Sequence, residues 1–235
     1  MKYAIIAAGE GSRLAQEGVA APKPLVRVAG EQLIDRLMRV FAGNDASEIC
    51  VICNEQMTDV AAHLQAVAAA GVLPLKFTVR STPSSMHSMW ELSRWLHDGP
   101  FVLTTVDTIF REQEFTAYVA AFQQLIARGE ADGLMGVTDY IDDEKPLYVA
   151  TDEALRITAF LDSCDHPQYI SGGIYGLTPQ AIPVLQRCIE RGESRMRNFQ
   201  RALVADGLRL KAYPFSKVLD IDHASDIQKA EAFLR

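Results

Sequence analysis

The chain has 235 residues, 23 Lys+Arg against 30 Asp+Glu, and a formal net charge of -7; with 49% apolar and 23% charged residues it has the composition of a folded protein, which excludes a mainly disordered one. The acidic balance excludes a general nucleic-acid binder, which needs a basic face for phosphates, but not one small phosphorylated ligand held by a few local cations. No apolar run approaches the roughly 18 residues of a membrane span, and the opening stretch is too short for the core of a signal peptide, so a cytoplasmic protein with no membrane partner is expected.

In chain order, short β-branched runs alternate with amphipathic stretches. Strands are predicted at Tyr3–Ala7, Ile49–Ile52, Lys76–Val79, Phe101–Val106, Gly133–Thr138, Ile170–Gly176 and Leu208–Tyr213. Helices are predicted at Glu31–Ala42, Asp59–Ala70, Ser85–Leu96, Glu114–Ala127, Pro179–Arg191, Arg195–Asp206 and Ser225–Leu234. Nearly continuous apolar strands separated by helices imply crossover units, hence an α/β fold with a mostly parallel sheet. No repeat or Pro/Gly/Ser-rich linker divides the chain, so one domain over residues 1–235 is expected. The acid-rich stretch 139–165, with Asp142, Asp143, Glu144 and Asp162 among its carboxylates, reads as strands and loops inserted over a sheet edge.

Cys50 and Cys53 form a C-x-x-C spacing inside a strand, where residues three apart face opposite sides. They read as buried thiols, since a redox pair belongs at a helix start and a zinc site needs a second pair.

The strongest chemical signal follows the first strand. Ala8, Gly9, Glu10, Gly11, Ser12, Arg13 and Leu14 make a glycine-rich turn at a strand's carboxyl end, where open α/β sheets bind ligands. Glycines there let backbone N–H groups approach phosphate oxygens. The dinucleotide fingerprint is broken by Leu14 at its third glycine, and the P-loop string is absent. A third reading is a nucleotidyltransferase loop, in which the glycines are followed by Arg13 and then by a lysine before a proline, Lys23-Pro24; a glycine turn with a solvated arginine and lysine competes with it.

These motifs, with Pro22-Lys23-Pro24-Leu25 and then Gly30, resemble the signature of the sugar-nucleotide pyrophosphorylase-type nucleotidyltransferases. The resemblance extends to the strand ending at Asp107 and to Asp220-Ile221-Asp222, and so covers nearly the whole chain. It implies a single Rossmann-like (GT-A-like) three-layer α/β/α domain with a mixed, mostly parallel sheet. It also implies a Mg²⁺-dependent reaction that joins a nucleoside triphosphate to a phosphorylated sugar or alcohol and releases pyrophosphate. The implied partners are therefore those two small molecules, and a homo-oligomer is compatible with the reading.

The residues suit that chemistry. Both reactants are anions, so the task is charge neutralisation and alignment, with no nucleophilic side chain. Arg13 offers a planar fork to the leaving phosphates, and Lys23 a point charge for the α-phosphate and the incoming phosphate. Mg²⁺ takes one or two carboxylates besides phosphate oxygens. Asp107 ends a central strand, and the resemblance puts a second ligand at Asp222 or, less favoured, Asp220. Thr82, Ser84, Ser85 and Ser88 are candidates for the nucleobase, with helix capping by Ser84 or Ser85 as the competing reading. Gly172 and Gly173, matched to the family's acceptor side, could equally mark a bulge. Tyr175 joins them as an acceptor candidate, and with Tyr169, Tyr148 and Trp90 it could form a cage for a choline-like cation. Asp222 also competes with turn chemistry, Ser225 being the expected cap of the last helix.

The primary expectation is an NDP-sugar-forming enzyme. A cytidylyltransferase acting on a phosphoalcohol such as phosphocholine is the alternative, and a catalytically silent nucleotide-binding regulator is the alternative of another class. A glycosyltransferase is disfavoured, because the D-x-D string lies near the C-terminus instead of after a central strand.

Overall fold

The computed structural model describes residues 1–142 and 145–235, so Asp143 and Glu144 of the acidic stretch lie outside the described residues. In chain order the first half runs β1 (Lys2–Ala7), α1 (Ser12–Gln16), a 3-10 turn (Lys23–Leu25), β2 (Arg27–Val28), β3 (Glu31–Gln32), α2 (Leu33–Ala42), β4 (Glu48–Cys53), α3 (Thr58–Ala70), β5 (Leu75–Val79), α4 (Ser85–Ser93) and β6 (Phe101–Thr105). There follow β7 (Thr108–Ile109), α5 (Glu112–Ala127), β8 (Gly133–Thr138), β9 (Tyr148–Thr151), β10 (Ile157–Leu161), β11 (Tyr169–Leu177), α6 (Ala181–Glu190), α7 (Met196–Ala205), β12 (Leu210–Phe215), β13 (Leu219–Asp220) and α8 (Ala224–Leu234).

Strands β5, β4, β1 and β6 lie side by side and parallel, in register Tyr3 with Ile49 and Val102. Strand β11 then runs antiparallel between β6 and β8, and β12 pairs parallel with β8. The sheet is thus mixed, as expected. The acidic stretch contributes the β9–β10 hairpin, which joins the amino end of β11 through Tyr169 and Ile170. Neither strand has enough residues for an alternating pattern to stand out from the loops around it.

Alternation along β1 divides the interior into two layers. Tyr3, Ile5 and Ala7 face the core covered by α2, α3 and α5, while Ala4 and Ile6 face the core under α4, α6 and α7. Three layers follow, α/β/α. Cys50 and Cys53 fall one on each side, unpaired and buried, and burial pushes their thiols up to about 12 and about 11. Among the described residues no helix is long and apolar enough to cross a membrane.

The first layer holds an aromatic stack, Tyr3 on Phe41 and Phe110 on Phe115, each pair at 4.6 Å between ring centroids. Tyr118 donates to the Leu134 carbonyl at 2.7 Å, and this contact needs a glycine opposite: a Cβ on Gly176 would sit 2.6 Å from the Tyr118 hydroxyl. Gly176→Ala is therefore expected to lower stability by about 1–3 kcal/mol, read as a shifted urea midpoint at unchanged slope.

Candidate active site

In this sheet β1 sits between β4 on one side and β6 on the other, so the chain reverses its winding at β1, and the crevice outside the strands' carboxyl ends opens there. The segments that leave those ends build a cleft of about 310 Å³: Gly9 to Gly11 after β1, Asn54 after β4, Thr82 to Ser85 after β5, and Asp107 after β6. Gly11 adopts φ 62°, and a Cβ on it would come within 2.9 Å of the Lys23 Cβ. A glycine at this position is what allows the loop to close over the lysine stem.

Lys23 is the centre of the site. Its ammonium pairs with Asp107 Oδ2 and with Asp222 Oδ1, the latter at 2.8 Å, and Arg13 Nη1 reaches Asp222 Oδ2 at 3.1 Å. Burial alone would push the Lys23 ammonium down, yet Asp107 and Asp222 hold it above its ordinary range, so it stays charged. Burial likewise works against ionised Asp222, and Lys23 and then Arg13 hold its carboxyl below the usual range. Asp107 and Asp222 are brought together by a two-residue ladder. Strand β13 pairs with β7 (Leu219 with Ile109, Asp220 with Thr108), and the Ile221 N–H donates to the Asp107 carbonyl at 3.2 Å.

A second cleft, of about 320 Å³, opens on the far side of Asp222 and is lined by Arg13, Tyr140, Gly172, Asp220 and Lys229, among others. The Lys23–Asp222 pair therefore stands between the two clefts. Asp220, exposed on β13, lines only the second cleft, while Asp222 reaches the lysine.

The remaining predicted residues divide clearly. Ala8, Gly9, Gly11, Thr82, Ser84 and Ser85 line the first cleft. Ser12 is exposed at the first position of α1, and the Leu14 side chain is buried in the core, so only its backbone N–H, in the unbonded first turn, is available to a ligand. Ser84 does cap α4: its Oγ meets the His87 Nδ1 at 2.9 Å and accepts the His87 N–H at 3.5 Å. Thr82 and Ser88 share a hydroxyl contact of 2.6 Å. Gly173, at φ 70°, forms the bulge of β11 and sits against Thr108, which leaves Gly172 to face the second cleft. Tyr175 is 6% exposed and packs in the second core layer, pointing into neither cleft. Trp90 and Tyr169 pack against that same layer, and Tyr148 lines a separate surface cleft, so the four aromatics do not converge into a cage. Ser225 is not the cap of α8. His223 occupies that position in a capping box with Asp226, because the Asp226 carboxylate accepts the His223 N–H at 2.8 Å.

Asn54 was not singled out by sequence, although its place directly after β4 marks it by the strand-end rule. It is buried, donates to the Ala8 carbonyl at 3.3 Å and accepts from the Ser81 hydroxyl at 2.9 Å, tying the glycine loop to the Thr82–Ser85 segment.

Among the described residues no group of three metal-ligating side chains is gathered. One observation nevertheless fits a divalent cation. Asp107 Oδ1 is buried and has no hydrogen-bond partner, close to a second carboxylate at Asp222, which is a donor set suited to Mg²⁺ when phosphate oxygens and water complete the shell.

The chain is 26% identical over 161 residues to a CMP-5'-(3-aminopropyl)phosphonate synthase of Streptomyces rubellomurinus, covering 62% of this chain and 25% of that protein. It is also 26% identical over 242 residues to a bifunctional IPC transferase and DIPP synthase of Rubrobacter xylanophilus, covering 97% and 50%. The chain thus spans a quarter and a half of the lengths of these curated relatives. Its fold matches a structure described as a glucose-1-phosphate thymidylyltransferase from Bacillus anthracis, in complex with sucrose, at TM-score 0.84 and 20% identity over 100% of this chain and 95% of that one. It also matches the inositol-1-phosphate CTP transferase of T. maritima, at TM-score 0.75 and 19% identity over 100% and 97%. A family model described as Nucleotidyl transferase matches residues 2–235, and the chain belongs to that family.

Proposed function

We propose that this chain transfers a nucleotidyl group from a nucleoside triphosphate to the phosphate of a sugar 1-phosphate, releasing pyrophosphate and forming a nucleotide-activated sugar. The observation that carries the reading is the run of ion pairs from Arg13 through Asp222 and Lys23 to Asp107, set between two clefts at the carboxyl ends of β1 and β6. Two anionic reactants need to meet over a cation, and Lys23 stands at that boundary.

In this reading the first cleft takes the triphosphate, with loop N–H groups on its oxygens, while Arg13, which lines the second cleft beside Asp222, adds its charge to the phosphates from that side of the boundary. Thr82, Ser84 and Ser85 line the wall available to the base. The second cleft takes the acceptor, beside Gly172 and Asp220. Asp107 and Asp222 would hold Mg²⁺, which when bound adds positive charge against the crowded phosphate oxygens. Lys23 aligns the incoming phosphate with the α-phosphorus, so the chain's work is placement and charge.

A second reading, cytidylyl transfer to a phosphoalcohol, is favoured by the CMP- and CTP-linked names of a relative and a structural neighbour. Within that class the dispersed aromatics speak against a quaternary ammonium such as phosphocholine, whose recognition needs converging ring faces. Tyr140, which lines the second cleft, already carries the Lys217 ammonium at 3.9 Å from its centroid. The polar lining of Ser171, Asp142 and Lys229 suits a polyhydroxylated acceptor better.

A pyrophosphate-release screen with Mg²⁺ tests both. It crosses CTP, UTP, dTTP, ATP and GTP with sugar 1-phosphates, inositol 1-phosphate and phosphocholine. Release with a sugar 1-phosphate is the expected result, and release only with CTP and a phosphoalcohol selects the second reading. Tight nucleotide binding without release from any pair would leave a silent nucleotide-binding regulator.

A further inference from the structure

Outside the named site, Glu17 closes α1. Its own N–H bonds the Arg13 carbonyl at 3.0 Å, so it is fixed to the short helix that carries Arg13. Its carboxylate then crosses to the opposite end of the sequence. Oε1 meets the His223 Nδ1 at 2.6 Å and Oε2 accepts the Ala224 N–H at 2.7 Å. Ala224 is the first residue of α8, so Glu17 satisfies one of the helix's orphan donors from outside the helix.

The segment it grips begins one residue after Asp222. Asp226 holds the same segment from within α8, accepting the N–H groups of Asp222 and His223 at 3.2 and 2.8 Å. Asp222 is therefore followed by backbone pinned from two sides, and its side chain projects to Lys23 and Arg13. Asp226 sits in the same helix turn and fixes only the local bend. Glu17 is the group that references this bend to the glycine-loop helix.

We propose that Glu17 is a positioning residue: it sets Asp222 at its working distance from Arg13 and Lys23, without itself touching substrate. This rests on the function proposed above for Asp222, and the placement of Asp222 by Glu17 can be tested without it. As an exposed ion pair with His223, the contact would matter little. Its weight comes from the oxygen that accepts the Ala224 N–H, a donor at a helix start with no partner inside the helix.

The test compares Glu17→Ala and Glu17→Gln with the parent chain. Glutamine keeps an oxygen for the Ala224 N–H and an amide donor for a neutral His223 ring, so it should rescue. Hydrogen exchange is expected to speed up at residues 222–226 in the alanine variant and not in the glutamine variant. With the substrate pair found by the screen, alanine is expected to lower kcat and raise the half-saturating Mg²⁺ concentration, each by about 10-fold, with KM for the nucleotide and the melting temperature little changed. Unaltered exchange at residues 222–226 would overturn the proposal. So would a fall in melting temperature with kcat and the Mg²⁺ requirement intact, which is the signature of a cap and nothing more. If the parent chain releases no pyrophosphate with any pair, the functional reading has failed; the exchange comparison then decides alone whether Glu17 places Asp222.

Discussion

Replacing Lys23 with alanine is expected to cut turnover by about 10²-fold or more, the largest loss from any one side chain. The ammonium is enclosed between Asp107 and Asp222 and held charged by them. Without it, the two carboxylates lose the fixed cation between them, and less positive charge offsets the incoming phosphates at the point of bond formation. The alanine keeps the Cβ against which Gly11 packs, so the glycine loop retains its support. The fold is expected to survive. Pyrophosphate release and far-UV circular dichroism measured together separate lost chemistry from lost structure, and near-parental release would remove Lys23 from the proposed mechanism.

Asp107→Ala is expected to lose turnover on the same scale, about 10²-fold, for a different reason. One of its oxygens pairs with Lys23, while the other is buried and unpartnered. A carboxylate oxygen in that condition carries a desolvation cost that a purely structural role does not repay. Deleting it should leave the melting temperature nearly unchanged, since Asp222 still answers Lys23 and the Thr105–Thr108 hydroxyl contact of 2.8 Å still shapes the turn. Activity lost at constant stability, with the Mg²⁺ dependence abolished, is the expected pattern; a large fall in stability with turnover kept would show that Asp107 is structural.

Much of this was legible in the residues. The apolar strands β1, β4, β5, β6, β8, β11 and β12 and the longer helices carry enough residues for a period to emerge, and the glycine loop announces itself at a strand end. The short pieces were not legible. Strands β7 and β13 have two residues each, and they pair across more than a hundred positions, so apart from the resemblance no local pattern joins Asp107 to Asp222. Asp220 and Asp222 both line the second cleft, but only Asp222 pairs with Lys23, and its backbone N–H is held by the Asp226 carboxylate. Ser225 looked like a cap because serine favours that role, but the long-range acceptor at Glu17 and the capping box of His223 start the helix earlier. Tyr175 packs in the second core layer, a placement that its position between Ile174 and Gly176 in a strand does not announce.

The two-sided grip on Lys23 has a consequence for selectivity. Its positive charge is already answered internally before anything arrives, so a simple anion such as sulfate or orthophosphate gains little by entering and must first compete with two resident acids. Only a visitor with several negative groups, able to engage the loop backbone and Arg13 at once, can profit from prising the trio apart. In the proposed reading, the resident acids thus set a threshold that favours a polyphosphate over small anions.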